Sequence, residues 1–445
     1  MTASASDLLN DLVGKARKAG ADAADAMLVD ALALSIGCRL GKVETLERAE
    51  SGDLGLRVFV GKKQAVVSTT DRRPATLEQL VERAVAMAKA APEDEFCGLA
   101  IPEDITKSWP KLDMADTAEP TADHLVAQAR EAEEAAMAVQ GVTNSEGAEA
   151  GAGSAEVTLV ASNGFVGTYR RTSHSLSASV LAGEGTGMER DYEYMTCVSA
   201  RDLPSAASIG RQAGERTVKR LGARKMPTGS VPVVFEPRIA GSLIGALAGA
   251  ISGSSVARGT SFLKDRLGQA IFQPGITIID DPFRNRGLRS RPFDAEGLLP
   301  QKRNIIDKGV LTTWLLDQRS ARQLKMKSTA HAARSPGGAP SPSVSNFYME
   351  AGALSPAALM SDIKQGFYVT ELMGMGVNGV TGDYSQAAAG FWIENGEIAF
   401  PVSEMTIAGN LKDMFLNVTP ANDLEFRRGI DAPTLRIEGM MVAGV

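Results

Sequence analysis

Apolar residues recur at helical spacing from the start of the chain. Leu8, Leu9, Leu12, Val13 and Ala16 share one face of residues 6–19, and Gly20 ends the run. The period then drops to two in "LGLRVFV", residues 54–60, and Gly61-Lys62-Lys63 turns that strand into "AVVST", which predicts a hairpin. Thr76 and Gln79 have capping-box spacing ahead of the helical stretch "LEQLVERAVAMAKAA". Residues 92–120 hold Pro and Asp with no periodicity and predict a linker. A further helix is predicted from Thr121 to Gln140, closed by Gly141. Two strands are expected around Asn163-Gly164 in "EVTLVASNGFVGTYRRT", and a helix from Pro204 to about Gly222.

The basic, Pro- and Gly-containing segment "ARKMPTGS", residues 223–230, marks the best domain boundary, with the strand "VPVVF" directly after it. The remainder of the chain is rich in strands. "NIIDKGVLTTWLL" and "FWIENGEIAFPV" predict hairpins, the second through Asn395-Gly396. Residues 328–345, rich in Gly, Pro and Ser, are too long for a compact connection and predict a functional or disordered loop. Helices and strands are segregated, so the expected class is α+β. N-terminal helices lie on an antiparallel sheet, followed by a β-rich C-terminal domain with an antiparallel, barrel-like core. The expected division is 1–112, 113–225 and 226–445.

Composition narrows the function. A chain of 445 residues is too long for one core, and 44% hydrophobic with 22% charged residues suits a water-soluble protein. A net charge of −6, no Lys/Arg run and 5% aromatics argue against nucleic acid. Cys38, Cys97 and Cys197 form no C-x-x-C pair, which fits a reducing compartment. Asp7 and Asp11 interrupt any apolar leader, so no export signal is expected. The one notable apolar run, Ile239 to Ile251, is shorter than the ~20 residues a membrane helix needs. A cytoplasmic protein without membrane contact is the expectation.

Motifs for chemistry are sparse. His124, His174 and His331 each lack a neighbouring ligand at zinc-site spacing, so no metal ligand is expected among them. "GMGVNG", residues 374–379, matches G-x-G-x-x-G, but the chain beyond reads as loop and strand rather than as the helix that would hold a pyrophosphate. Ser261/Lys264 and Ser361/Lys364 have S-x-x-K spacing without the companion motifs of serine acylases, and read as surface lysines on helices. Asp280-Asp281-Pro282 reads as a strand end and turn. The remaining feature is "GSLIGALAGAISG", residues 241–253. This predicted helix carries Gly241, Gly245, Gly249 and Gly253 in one stripe. Each glycine costs a helix roughly 1 kcal/mol relative to alanine, so something must come close to that face. Packing within the domain is one reading; contact with another subunit or a substrate is the other.

"EPRIAGSLIGALAGAISGSSVARGTSFLKDRLGQAIF" and "GDYSQAAAGFWIENGEIAFPVSEMTIAGNLKDM" resemble the TldD/PmbA family, and the resemblance extends over about residues 20–444. In that family, TldD-type chains carry an HExxxH helix and a C-terminal cysteine that together hold a metal. PmbA/TldE-type chains lack both and pair with a TldD-type chain as a cytoplasmic metalloprotease that cuts short or unfolded peptides. Aligned on the shared helix, the HExxxH positions fall on Ile244, Gly245 and Gly249, and "VTPANDLEFRRGIDAPTLRIEG" holds no cysteine. The resemblance therefore implies the PmbA/TldE branch, no catalytic residue and no bound cofactor in this chain, and zinc in the partner. Gly245 and Gly249 would face the partner or the peptide, with Gly376, Asn378, Gly379 and Asp383 as a candidate peptide wall. Two rivals stand beside this reading. One is a stand-alone homodimeric binding or regulatory protein. The other is a self-contained hydrolase using Ser261 and Lys264.

Overall fold

Four hairpin connections shape the first half of the molecule. The protein is seen in a computed structural model that describes residues 4–374 and 376–444. In chain order its elements are α1 (Ala5–Lys18), β1 (Ala23–Arg39), β2 (Lys42–Val60), β3 (Lys63–Thr69), α2 (Pro74–Ala90), α3 (Ala122–Met137), β4 (Val142–Ala161), β5 (Val166–Ala182), β6 (Glu189–Cys197) and α4 (Ala206–Lys219). The strands form one antiparallel sheet ordered β3-β2-β1-β4-β5-β6. Period-two alternation decides which side each residue serves. Leu28, Leu54, Leu56 and Val58 pack under α1 and α2, and Ile36, Ala148, Ala150 and Leu176 pack under α3 and α4. Met27, Val157 and Leu159 point the other way, toward Phe293 of the second half.

The second half contains β7 (Gly229–Phe235), α5 (Pro237–Ala250), α6 (Gly253–Ala257), β8 (Ile278–Asp281), β9 (Arg303–Asp307), β10 (Val310–Leu311), α7 (Gln318–Gln323), β11 (Ala332–Ala333), β12 (Ser341–Pro342), β13 (Asn346–Met349), α8 (Pro356–Met360), β14 (Gln365–Met373), β15 (Asp383–Glu394), β16 (Glu397–Asn410), α9 (Leu411–Leu416), β17 (Val418–Pro420), β18 (Ile430–Asp431) and β19 (Leu435–Ala443). The order β16-β15-β14-β7-β19, with β16 also pairing β19, closes a five-stranded barrel. A second sheet runs β10-β9-β8-β13-β18. The α+β class, the antiparallel sheets and the barrel agree with the sequence. Among the described residues, no helix is long and apolar enough to cross a membrane.

Four local expectations are corrected. The capping box at Thr76 does not form: Arg73 is the N-cap, Pro74 opens the helix, and Thr76 Oγ1 instead donates to Asp71 at 2.8 Å. Pro74 supplies the helical φ that starts the turn, so no side-chain cap is needed. Residues 92–120 are no free linker. Cys97, Ala100 and Met114 are buried, and Thr172 N donates to Met114 O at 3.0 Å. The loop 328–345 is ordered and lies against the first sheet: Arg334 pairs with Asp25, and a Cβ on Gly55 would sit 1.8 Å from the Pro336 carbonyl oxygen. Finally, the glycine stripe is not one helix. The helix α5 ends at Ala250, and Gly253 opens α6.

A close approach also fixes α3 against α4. A Cβ on Gly210 would stand 1.9 Å from Ala132 O. Gly210→Ala is therefore expected to cost roughly 1–3 kcal/mol despite alanine's better helix propensity. Denaturant midpoints of the two proteins check this; an unchanged or higher midpoint for the variant would show that the helix pair can separate freely.

Candidate functional site

The helix α5 positions the site. Glu236 is its N-cap in extended conformation and Pro237 its first residue. Ala240, Leu243, Ile244, Leu247 and Ala250 face the large core beside Val233, Phe235, Phe367 and Val369. The stripe divides. A Cβ on Gly241 would lie 2.5 Å from Ile430 O, and one on Gly253 2.5 Å from Leu316 Cδ2. At Gly245 and Gly249 no atom comes within 4 Å. The ends of the stripe are close packing within the chain, and its middle is open. Gly249 is exposed and Gly245 half-buried.

Gly241, Ser242 and Gly245 form one wall of a groove of about 600 Å³; Tyr192 and Tyr194 of β6, Gly374 and the segment around Arg427–Asp431 close the rest. Its floor is ionic and largely buried. Arg238, with a side chain 1% exposed, donates to Glu236 Oε1 at 2.8 Å and Asp191 Oδ1 at 3.1 Å. Burial works to lower the pKa of this guanidinium, but Glu236 and Asp191 outweigh it and raise the value. Arg238 also lies 4.8 Å from the Tyr192 ring centroid, and exposed Arg428 lies 4.8 Å from that of Tyr194, where its Nε donates to the phenol oxygen. The groove thus offers guanidinium-capped aromatic faces beside an unobstructed helix side. That arrangement can bind an extended chain; no nucleophile–base pair lies among the residues lining it.

None of the four residues expected as a peptide wall is among those lining this groove; Gly374, just before them, is. Gly376 packs against β15, where a Cβ would lie 1.6 Å from Ser385 O. Asn378 Oδ1 accepts from Val380 N at 3.0 Å, and Gly379 O accepts from Phe262 N at 3.0 Å. Asp383 accepts from Thr381 Oγ1 and Asn410 Nδ2, which hold its carboxyl below the usual range. These residues shape the β14–β15 turn. The next element is a strand, so no helix N-terminus stands ready for a dinucleotide.

Other candidates also find their places. Ser261 is buried, donating to Ala250 O at 2.6 Å and accepting from Leu263 N at 3.0 Å, while Lys264 is exposed. Neither S-x-x-K lysine sits on the expected helix: Lys264 lies within a turn and Lys364 in a bend just before β14. His124 is exposed on α3. His174 is buried 3.7 Å from Asp116, and burial lowers its pKa. Asp281 accepts from Phe283 N in the expected turn, but Asp280 is buried, with Oδ2 3.2 Å from His331 Nε2 and further bonds from Ser345. Burial pushes the Asp280 carboxyl up, yet His331 and Ser345 hold it below the ordinary value. No local pattern signals this pair, because strand β8 and the 328–345 loop meet only in the folded chain.

Comparison with known proteins places these features in a family. Residues 24–88, 115–221 and 228–444 match, in order, domain 1, the central domain and the C-terminal domain of the PmbA/TldA metallopeptidases. The chain is 40% identical over 425 residues to Metalloprotease PmbA of Escherichia coli O157:H7, covering 95% of this chain and 92% of the relative. It is 36% identical over 434 residues to a PmbA homolog of Haemophilus influenzae, covering 96% and 94%. A proposed modulator of DNA gyrase from Bacteroides thetaiotaomicron superposes with a TM-score of 0.91 at 29% identity, over 99% of this chain and 98% of that one. TldE from Thermococcus kodakarensis shares the fold, with a TM-score of 0.88 at 20% identity over 98% and 100% of the two chains.

The name metalloprotease implies a metal, and the residues here do not fit one. Ile244, Gly245 and Gly249 offer no donor atom, and among the described residues no three His, Cys, Asp or Glu side chains converge to hold a cation. Three matched domains in order, and 40% identity across nearly the whole length, place the chain in the PmbA/TldD metallopeptidase family.

Proposed function

We propose that this chain is the non-catalytic, PmbA/TldE-like member of a heteromeric metallopeptidase that cleaves short or unfolded peptides. A TldD-type subunit with an HExxxH helix supplies the zinc and the base; this chain supplies part of the peptide chamber. The observation that carries the reading is the open middle of the stripe: Gly245 and Gly249 give up helix stability, yet no atom of the chain occupies the space they leave. A peptide or a partner helix fits that space. Beside it, the Arg428 guanidinium and the Tyr192 and Tyr194 rings offer contacts to an extended backbone and its side chains. The fold shared with a TldE is consistent with this role.

The test compares the isolated protein with its mixture with a TldD-type subunit. The isolated chain is expected to hold no stoichiometric zinc and cleave nothing. The mixture is expected to cut unfolded polypeptides, to stop on chelation, and to spare compact proteins. One tightly bound metal per chain together with chelator-sensitive cleavage by the isolated protein would overturn the proposal. A partner equally active alone would reassign this chain to regulation.

A further inference from the structure

A second cavity, of about 410 Å³, lies between the first sheet and the C-terminal half. Its floor is apolar: Met27, Val29, Val157 and Leu159 from β1 and β4, with Phe293 opposite. Its polar lining is dominated by guanidinium groups, those of Arg171, Arg289, Arg291 and Arg334. These arginines are short of partners. Arg289 reaches Ser343 Oγ and Val344 O through Nη2, and Arg291 reaches Ala332 O and Ser343 O through Nη1 and Nη2. Arg334, with a side chain 1% exposed, uses only Nη1, on Asp25. That leaves Arg289 Nε, Arg291 Nε, Arg334 Nε and Arg334 Nη2 buried, with no hydrogen-bond acceptor among the described residues.

Nearby acids act on this charge, Asp280 and Asp431 on Arg289 and Glu296 on Arg334, but none accepts a hydrogen bond from the open donors. Asp25 already serves Arg57. Asp294 lines the cavity, but its carboxylate accepts the backbone N–H groups of Glu296, Leu298 and Ala332, and burial raises its pKa toward the neutral form. Burial, and then the neighbouring guanidinium of Arg291, lowers the pKa of Arg289. Buried guanidinium donors are costly to leave unmade, and a planar oxyanion satisfies several at once. Cavities of this size with an apolar floor and convergent polar groups suit small ligands.

We propose that this cavity binds a small organic anion, an oxyanion head (carboxylate or phosphate) carried on an apolar body. The head meets Arg289, Arg291 and Arg334, and the body covers Met27, Val29 and Leu159. All the residues lining the site belong to this chain.

The test uses the full chain in low-salt buffer, with calorimetric titration and thermal melts. The probes are N-acetyl-leucine, its uncharged amide, and inorganic phosphate. N-acetyl-leucine is expected to bind saturably and raise the melting temperature, and the amide to do neither. Phosphate binding more tightly than the carboxylate would support the site and assign its head group to phosphate. Arg291→Gln and Arg289→Gln are each expected to weaken binding by about tenfold or more, since each removes a charge-assisted contact to the anion's head. The proposal is overturned if neither anion binds at millimolar concentration, if acid and amide bind equally, or if both variants bind as the parent does.

Discussion

Gly249→Leu is expected to leave the isolated protein melting at or above the parent's temperature while sharply reducing cleavage by the mixture with a TldD-type subunit. Outside its own helix turn, no atom lies within 4 Å of a Cβ at that exposed position, so the isolated chain leaves room for the new side chain. Helix propensity then favours leucine by up to roughly 1 kcal/mol. Gly245→Leu should behave in the same way and also narrow the groove, since Gly245 lines it. The same stripe supplies its own control. At Gly241 a Cβ would lie 2.5 Å from the Ile430 carbonyl oxygen, and at Gly253 it would meet Leu316, Ser320 and the Leu315 carbonyl. Leucine there forces backbone apart and should cost about 1–3 kcal/mol or more, lowering the melting temperature of the isolated chain. Four single variants, four melts and four titrations with the partner therefore separate packing from docking. Lower melting temperatures at Gly245 and Gly249 with unchanged pairing and activity would make the whole stripe core, and would remove the observation on which the proposed role rests.

The sequence revealed much of this architecture because local chemistry decided it. Lys308-Gly309 and Asn395-Gly396 adopt positive φ at both central residues, as two-residue hairpin turns require, and both hairpins are legible from those dipeptides. Asn163-Gly164 likewise marks its turn. The long strands were only half legible. Residues 54–60 alternate in chemistry because Leu54, Leu56 and Val58 meet the helices while Gly55 and Arg57 face the C-terminal half through Pro336 and Asp25, whereas residues 42–51 of the same strand are exposed throughout and carry no period to read. The loop 328–345 has the composition of a solvated segment, yet it is held by Arg334 on Asp25 and by the contact of Pro336 with Gly55, residues about which local sequence says nothing. The sites divide in the same way. The stripe could be seen because its period is local, but only contacts across the fold show that two of its glycines are packed and two are open. The arginine cavity could not be seen at all: Arg171 stands on β5, Arg289 and Arg291 lie beyond β8, and Arg334 lies just past β11, so no sequence window contains the charge they concentrate.

Glu296 is expected to make stability depend strongly on pH. It is buried beneath the start of α7, where Oε2 accepts from Gln318 N at 2.8 Å. Burial, then the neighbouring Asp294, pushes its carboxyl from an ordinary value of 4.5 up to about 8, against the pull of Arg57. Below pH 4.5 the group is protonated in both the folded and the unfolded chain and contributes no pH dependence. Between there and about pH 8, the unfolded chain releases the proton while the folded chain retains it. The folded state then binds more protons, so this group's share of stability falls as pH rises and levels off above its folded pKa. Each pKa unit corresponds to about 1.4 kcal/mol, so the loss is on the order of a few kcal/mol by pH 8. Glu296→Gln removes the titration and keeps an acceptor for Gln318 N–H. The variant should match the parent near pH 4.5 and become progressively more stable than it toward pH 8, with chemical denaturation at each pH as the measure. If the two stability curves run parallel, Glu296 does not titrate in this window. If the variant is instead the weaker protein at pH 8, the carboxylate is ionised and held by Arg57, and the charge beneath α7 is balanced by that pair rather than by a retained proton.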